Sequence, residues 1–257
     1  MTLEPAKLGE LAASWAQEAG RLTLGYFGGR VDAEAKGDGS PVTRADREAE
    51  TLLRNRIRQR FPTHGILGEE FGEDQAGADI RWILDPIDGT RSFARGVPLY
   101  GVLIGVEAEG QPLVGVIHFP ALSETVWAAK GQGCIWNGKP CRVSPETKLE
   151  RSLVLTTDEE AFRQRADAPG WAALGREANM VRSWGDCYGH ALVATGRAEV
   201  MVDPVLSAWD SAPLLTILTE AGGTFTSLGG DITHLGGSGI STNGQLHRQV
   251  LELLATR

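Results

Sequence analysis

Residues 82–90 read Trp-Ile-Leu-Asp-Pro-Ile-Asp-Gly-Thr, and this run constrains the fold more than any other part of the sequence. It begins like a buried strand and ends like a tight turn. Asp85 and Asp88 therefore lie where the chain leaves an apolar segment, and a charge there is costly unless it is paired or bound to a metal ion. Carboxylate oxygens suit a hard divalent cation, and a glycine lets a phosphate approach the backbone. The run predicts metal-assisted phosphate chemistry.

The composition is that of a soluble globular protein that can bury a substantial core. The 257 residues are 42% hydrophobic and 23% charged, which suffices for one large domain or two smaller ones. The net charge of −8 argues against nucleic acid and anionic membranes as partners. It does not argue against a phosphate-bearing small molecule, because bound metal ions reverse the local sign of a site.

The cysteines and the N-terminus indicate a cytoplasmic protein. Cys134, Cys141 and Cys187 are odd in number and scattered, so they form neither a zinc pattern nor a disulfide framework. Residues 1–5 lack the basic region and apolar stretch of a signal peptide. No run of continuous apolar residues is long enough for a membrane span, and none is expected.

Hydrophobic periodicity predicts two helices followed by strands in the first half and alternating elements in the second. In the first half, helices are expected over 6–27 and 43–60, and strands over 65–68, 80–85, 99–107, 113–119 and 125–129. In the second half, strands are expected over 152–156, 199–202 and 224–226, and helices over 158–165, 170–176, 186–195 and 211–221. This order predicts an α+β protein with an N-terminal part at 1–147 and a C-terminal part at 148–257.

Turn residues mark three breaks in this pattern. Gly28-Gly29 is expected to end the first helix. The segment 36–41 is polar and glycine-rich, which predicts a loop. Asn137-Gly138 is typical of a two-residue turn in a β-hairpin.

Acidic residues follow apolar segments at four places along the chain. These are Asp46, the pair Glu69-Glu70, the pair Asp85 and Asp88, and Asp210. For any one of them the alternative is a helix cap or a surface ion pair, and Asp210 in particular resembles a helix N-cap. The four together favour a metal site with oxygen ligands, since no cluster of Cys or His accompanies them.

In this order the motifs resemble those of the inositol monophosphatase-like phosphatases. The motifs are Val42-Thr43-x-x-Asp46, Gly68-Glu69-Glu70, Asp85-Pro86-Ile87-Asp88-Gly89-Thr90, Trp209-Asp210-Ser211-Ala212 and Glu220-Ala221-Gly222-Gly223. The resemblance covers nearly the whole chain. It implies a Mg²⁺-dependent phosphomonoesterase with a layered αβαβα sandwich of the inositol monophosphatase and fructose-1,6-bisphosphatase type. It also implies a homodimer.

The resemblance also implies a role for each matching residue. Two or three Mg²⁺ ions would be held by Glu69, Asp85, the carbonyl of Ile87, Asp88 and, from the C-terminal part, Asp210. The catalytic residues would be Asp46, Glu69 and Thr90, with Asp46 and Thr90 orienting and deprotonating the attacking water. The implied substrate-binding residues are Glu69, Ile87, Asp88, Gly89, Thr90, Arg182, Asp186 and Asp210. The phosphate would be held by the backbone amides of Gly89 and Thr90, at the start of a helix.

The leaving group is expected to be set by the C-terminal part. Residues 184–189 and 203–205 depart from the pattern of inositol-specific members, and with residues 91–98 they resemble the histidinol-phosphatase branch. Asp186 adds a carboxylate that a neutral polyol does not need, whereas histidinol phosphate carries an ammonium and an imidazole that donate hydrogen bonds to it. The alternative for Asp186 is an N-cap of the helix expected at 186–195. Arg182 would contact the substrate or pair with an acid such as Asp203.

The sequence leaves three alternative functions. A haloacid-dehalogenase phosphatase is disfavoured, because its two acids are separated by one residue near the N-terminus, whereas Asp85 and Asp88 are separated by two and lie far along the chain. A broad sugar, inositol or nucleotide phosphatase keeps the same chemistry with another leaving group. A regulatory protein on the same fold is disfavoured because the set of acids is complete.

Overall fold

The structure, a computed structural model, describes residues 4–28, 34–35, 41–163, 165 and 168–256. Of the loop expected at 36–41, residues 36–40 lie outside the described residues. On either side of them, β1 (Glu34–Ala35) and β2 (Pro41–Val42) pair antiparallel.

Eight α-helices lie within the described part of the chain. They are α1 (Pro5–Leu24), α2 (Arg44–Arg60), α3 (Thr90–Ala94), α4 (Glu160–Arg163), α5 (Ala168–Glu177), α6 (Asp186–Ala194), α7 (Ala208–Glu220) and α8 (His247–Leu254). Two of them begin at capping boxes, α2 after Thr43 and α7 after Ser207. These two helix starts carry Asp46 and Asp210 into the interior of the protein.

A large sheet contains strands from residues 65–141. They are β3 (Gly65–Gly68), β4 (Gly72–Asp74), β5 (Ile80–Asp88), β6 (Gly101–Ala108), β7 (Gln111–Phe119), β8 (Glu124–Ala129), β9 (Cys134–Trp136) and β10 (Lys139–Cys141). Their spatial order is β10-β9-β8-β7-β6-β5-β3-β4. Only β3 and β5 pair parallel among these described strands, so their carboxyl ends meet at one edge of the sheet.

A smaller mixed sheet contains strands from residues 153–242. They are β11 (Leu153–Leu155), β12 (Met180–Arg182), β13 (Val200–Asp203), β14 (Thr224–Thr226) and β15 (Gly239–Thr242). Their spatial order is β12-β11-β13-β15-β14. The division into parts at 1–147 and 148–257 stays a prediction, and one apolar cluster joins residues of both sheets, such as Leu103 and Met201.

The two sheets and the helices stack in five layers. On one face of the large sheet, Leu8 of α1 and Leu53 of α2 cluster with Trp82 of β5. On its other face, Leu103 of β6 clusters with residues of α6 and α7, which separate the two sheets. The outer face of the small sheet is covered by α5 and α8, with Trp171 in that cluster. The αβαβα sandwich implied by the resemblance is therefore confirmed. Because both faces of β5 and β6 are covered, these strands are almost continuously apolar.

Most predicted elements are present, and the differences have local causes. The first helix ends at Leu24, before the predicted end at 27, and Gly25 caps it. The hairpin at Asn137-Gly138 is confirmed, since the two residues have φ of 48° and 76° as such a turn requires. The elements β12, β15 and α8 were not predicted because they are short and depend on packing against neighbours. None of the described helices combines the length and apolar character needed to cross a membrane.

Candidate active site

The parallel pairing of β3 and β5 brings Glu69 beside Asp85. Gly68 lies opposite Leu84 in the register, and the backbone N–H of Glu69 donates to the carbonyl of Leu84 at 3.1 Å. Each strand therefore delivers its next residue, an acid, to the same edge of the sheet. Glu69 follows its strand as predicted, whereas Asp85 lies within β5, which continues beyond it.

Glu50 of α2 holds the turn that follows β3. Its side chain is fully buried and accepts hydrogen bonds from the backbone N–H groups of Glu70 at 2.7 Å and Phe71 at 3.3 Å. Arg54 donates to it at 2.7 Å, so the buried charge is paired. A Cβ on Gly68 would lie 2.0 Å from Glu50 Oε1, so only glycine fits there. Sequence reasoning missed Glu50, because an acid inside a helix resembles a surface residue.

A bulge in β5 turns Asp85 and Asp88 toward one site. The strand does not end at residue 85 as predicted; it continues to Asp88, and its pairing with β6 shifts between the two acids. Residues three apart in a regular strand face opposite sides of the sheet, and the bulge removes that opposition. Pro86 fits the bulge because it has no N–H to donate to a neighbouring strand. Asp85 Oδ1 accepts the N–H of Ile87 at 3.0 Å, which fixes the first carboxylate.

Asp46 and Asp210 reach the site by the same local device. Each is the third residue of its helix, and one carboxylate oxygen accepts the N–H of the capping residue: Thr43 at 2.8 Å and Ser207 at 2.7 Å. The N-cap of α7 is thus Ser207, so the N-cap alternative for Asp210 is wrong. The second oxygen of Asp46, Oδ1, is buried and has no hydrogen-bond partner among the described residues.

Asp85, Asp88 and Asp210 form a compact cluster of carboxylates, in which one oxygen from each lies within 4.8 Å of the others. Burial raises the pKa of Asp85 well above its usual value, and the charges of Glu69 and Asp88 raise it further. Burial, with the neighbouring carboxylates, raises the pKa of Asp88 and of Asp210 to about 7. Three acids held this close, with no ion pair to a basic side chain among the described residues, fit a hard divalent cation, which would favour their ionised forms.

The turn after the cluster is built for close approach to its backbone. Gly89 has φ of 80°, in the left-handed region, and α3 begins directly after it at Thr90. The hydroxyl of Thr90 donates to the carbonyl of Ile87 at 3.0 Å. Asp88 Oδ2 accepts the N–H of Cys187 at 2.6 Å, which ties the turn to the start of α6.

Asp186 covers this turn from the start of α6. A Cβ on Gly89 would lie 3.0 Å from Asp186 Oδ2, and Ser92 Oγ donates to the same oxygen at 3.5 Å. Burial raises the pKa of Asp186 to about 8, and the charge of Asp88 contributes. The N-cap of α6 is Gly185, with Asp186 the first helical residue, so the N-cap alternative for Asp186 is wrong.

The turn and Asp186 border one open cleft of about 590 Å³. Its lining comes from both halves of the chain: Glu69, Gly89, Thr90, Arg91, Ser92, Val97, Leu99, Thr157, Asp158, Ser183, Gly185, Asp186 and Val205. The carboxylate cluster lies under one end, beside Glu69 and Gly89. The cleft can therefore hold a phosphate over the acids and its leaving group against the wall of residues 183–186.

The comparison with known families agrees with this geometry. The profile described as the inositol monophosphatase family matches residues 4–257. The chain belongs to the inositol monophosphatase family. Members of this family are Mg²⁺-dependent phosphoric monoester hydrolases, and this chain is an enzyme of that class.

Individual relatives and solved structures cover nearly the whole chain. A protein of Chlorobaculum parvum named histidinol-phosphatase is 46% identical over 244 residues, which is 94% of each chain. A Mycobacterium tuberculosis protein of the same name is 38% identical over 95% of this chain and 96% of its own. A solved inositol monophosphatase of Thermotoga maritima has a TM-score of 0.86, with 30% identity and 95% coverage of both chains.

Arg182 stands apart from the other predicted site residues. It ends β12, is exposed, and its Nη1 donates to the carbonyl of Val181 at 2.7 Å. It is absent from the described residues that line the cleft, and its role in substrate binding stays a prediction. Asp203, its suggested partner, instead accepts hydrogen bonds from Thr157.

Sequence reasoning also missed Arg91 and Thr157 in the cleft lining. Arg91 follows Thr90 directly, and its position in the motif was the available signal. Thr157 follows a short strand of the second sheet, and nothing in its local sequence distinguishes it from a surface threonine.

Proposed function

We propose that this protein is a Mg²⁺-dependent phosphatase that hydrolyses L-histidinol phosphate to L-histidinol and phosphate. The observation that carries the proposal is the half-buried carboxylate of Asp186, which lies against Gly89 of the phosphate turn. No cationic side chain of the described residues donates a hydrogen bond to it, and the charge of neighbouring Arg91 offsets the rise of its pKa only in part. A leaving group that brings a positive charge suits this wall better than a neutral polyol. The relatives named histidinol-phosphatase support the same substrate.

The metal ions would be held by the acids at the edge of the large sheet. The ligands are Glu69, Asp85, the carbonyl of Ile87, Asp88 and Asp210, and we propose two or three Mg²⁺ ions. When bound, Mg²⁺ lowers the pKa of water and neutralises charge on a phosphate and its leaving oxygen. The clustering of Asp85, Asp88 and Asp210 within 4.8 Å supports this donor set.

The attacking water would be held by Asp46 and Thr90, with Glu69 beside them. The buried Oδ1 of Asp46 has no partner among the described residues and is free to accept a proton from water. The hydroxyl hydrogen of Thr90 is committed to the carbonyl of Ile87, so its oxygen presents a lone pair to the water. The water would attack the phosphorus and give a proton to Asp46 while the bond between phosphorus and the histidinol oxygen breaks. That oxygen takes up a proton from solvent as L-histidinol leaves, and no phospho-enzyme forms.

The phosphate would rest on the N–H groups of Gly89 and Thr90, where the left-handed conformation of Gly89 leaves room for it. Asp186 would accept hydrogen bonds from the ammonium and the imidazolium of histidinol phosphate. A substrate cation favours the ionised carboxylate, so binding lowers the pKa of Asp186 from about 8. The enzyme would thus bind a cationic substrate better than a neutral polyol, because only the cation pairs with the carboxylate of Asp186.

The proposal is tested by phosphate release from histidinol phosphate and from inositol 1-phosphate, each with Mg²⁺ and with a chelator. We expect kcat/KM to favour histidinol phosphate by roughly 10- to 100-fold, because a buried charged hydrogen bond contributes about 1.5–3 kcal/mol. Comparable or reversed values would indicate a broad phosphatase. No release with either substrate in Mg²⁺ would indicate a regulatory protein.

We also propose a homodimer that acts in the cytoplasm. The three cysteines are free thiols, although Cys134 and Cys141 face each other across β9 and β10, and free thiols suit a reducing compartment. Sedimentation equilibrium should give a particle of twice the 27.5 kDa chain mass, and a single-chain mass would contradict the dimer.

A further inference from the structure

The backbone of Asp186 adopts a left-handed conformation, which needs stabilisation by a neighbouring group. Its φ is 51°, in the left-handed region, although it is the first residue of α6 and not a glycine. Aspartate tolerates this region at some cost, so the surroundings must favour it. The direction of the carboxylate depends on this conformation, because the side chain leaves the same Cα.

Thr157 supplies the group that contacts this backbone. Its Oγ1 accepts the N–H of Asp186 at 2.7 Å. The two segments also touch directly, since a Cβ on Gly185 would lie 2.2 Å from the Cα of Thr157. The contact fixes residues 185 and 186 against the end of the small sheet.

Asp203 in turn fixes Thr157 from below the cleft. Its Oδ1 accepts the N–H of Thr157 at 2.9 Å, and its Oδ2 accepts the Thr157 hydroxyl at 2.9 Å. Because the Thr157 hydroxyl donates its hydrogen to Asp203, the hydroxyl oxygen can accept the N–H of Asp186. Asp203 is 2% exposed, so it acts through Thr157 and does not line the cleft.

His190 and Ser241 complete the support. His190 Nε2 is hydrogen-bonded to Asp203 Oδ2 at 3.3 Å. Its Nδ1 is hydrogen-bonded to the hydroxyl of Ser241 at 2.7 Å. Both residues are fully buried, so this end of the row is enclosed, whereas Thr157 and Asp186 at its other end line the open cleft.

We infer that Thr157, held by Asp203 and His190, is a positioning residue that sets the carboxylate of Asp186 over the phosphate turn and thereby selects a cationic leaving group. The inference rests on the proposed function, because it explains how Asp186 reaches the leaving group. Thr157 contributes through the backbone of Asp186, which distinguishes it from a ligand of the substrate.

The test compares Thr157→Val, which removes the hydroxyl, with Thr157→Ser, which keeps it. The control is Thr156→Val, because Thr156 is the adjacent threonine and its buried hydroxyl has no hydrogen-bond partner among the described residues. For Thr157→Val we expect the KM for histidinol phosphate to rise roughly tenfold, and to rise several-fold more than the KM for p-nitrophenyl phosphate, which has no cationic group. Thr157→Ser should restore the KM to within about twofold of wild type, and Thr156→Val should change neither KM.

Equal rises of KM on both substrates, or failure of the serine variant to restore it, would overturn the inference. A wild-type enzyme without preference for histidinol phosphate would contradict the proposed function but not this role. In that case, or if Thr157→Val loses activity by unfolding, two other measurements decide whether Thr157 positions Asp186. They are the crystal structure of Thr157→Ser and the melting temperatures of the three variants. Asp186 with φ near its wild-type 51° in the serine variant, together with a lower melting temperature for Thr157→Val than for Thr156→Val, supports it. An altered φ in the serine variant, or equal melting temperatures, overturns it.

Discussion

The carboxylate cluster under the cleft and the carboxylate of Asp186 are two acidic sites with the same electrostatic property and different construction. In both, burial raises the pKa: to about 7 for Asp88 and Asp210, and to about 8 for Asp186. The cluster brings three carboxylates within 4.8 Å, a spacing that suits one small, hard cation. Asp186 lies against Gly89 beside the cluster, and the Ser92 hydroxyl, at 3.5 Å, is its side-chain hydrogen-bond partner among the described residues.

The different number of carboxylates at the two sites indicates that they suit different kinds of cation. Several oxygens around one point suit an inorganic ion, whereas a single carboxylate beside a wide cleft suits an organic ammonium or imidazolium. Under the proposed function, the cluster carries the chemistry and Asp186 selects the leaving group within the same cleft. Changes at the two sites should therefore produce different kinetic patterns.

The largest effect is expected at the cluster, from Asp88→Asn. The loss of one anionic ligand should lower phosphate release on every substrate by on the order of a hundredfold or more, because metal ions supply charge stabilisation for all of them. The measurement is phosphate release against Mg²⁺ concentration on histidinol phosphate and p-nitrophenyl phosphate. Asp79→Asn, the same change at an exposed acid before β5, is the matched control and should behave as wild type. Normal activity of a folded Asp88→Asn protein would break the assignment of the cluster.

An intermediate effect is expected from Asp186→Ala. Here kcat/KM on histidinol phosphate should fall by roughly 10- to 100-fold, the usual result of losing a buried charged hydrogen bond, while p-nitrophenyl phosphate loses far less. Asp158→Ala is the control, since Asp158 lines the same cleft but is exposed and screened by water. Equal losses on both substrates would mean that Asp186 supports the fold and not the selection of the leaving group.

The same two sites show how far sequence reasoning reaches. Asp85, Asp88 and Gly89 lie in one contiguous run, so their local pattern predicted both the strand and the site beside it. The bulge that turns Asp85 and Asp88 to one side was not predicted, because register against β6 is a property of two strands.

The wall around Asp186 was predicted less completely. Its carboxylate was identified as a contact for the leaving group, but the left-handed backbone and the support from Thr157 and Asp203 depend on segments far apart in sequence. Such long-range contacts leave no local periodicity to detect. The N-cap alternative was wrong because Gly185 takes that place and frees the carboxylate for the cleft.

The smallest effect separates the two sites by their response to pH. A raised pKa means that the folded state binds more protons than the unfolded state from about pH 4 to about pH 8, so stability falls as pH rises through that window. In chelator, the cluster and Asp186 both contribute, and the melting temperature should be lower at about pH 8.5 than at about pH 5.5.

Saturating Mg²⁺ offsets the repulsion within the cluster, so most of the remaining pH dependence of the melting temperature should come from Asp186. We expect Asp186→Ala in Mg²⁺ to lose that remainder, a difference of roughly a few degrees measured by differential scanning calorimetry. If Asp79→Asn keeps the residual pH dependence of the melting temperature and Asp186→Ala loses it, that dependence comes from Asp186. An unchanged dependence in Asp186→Ala would show that the cluster and Asp186 share one electrostatic response.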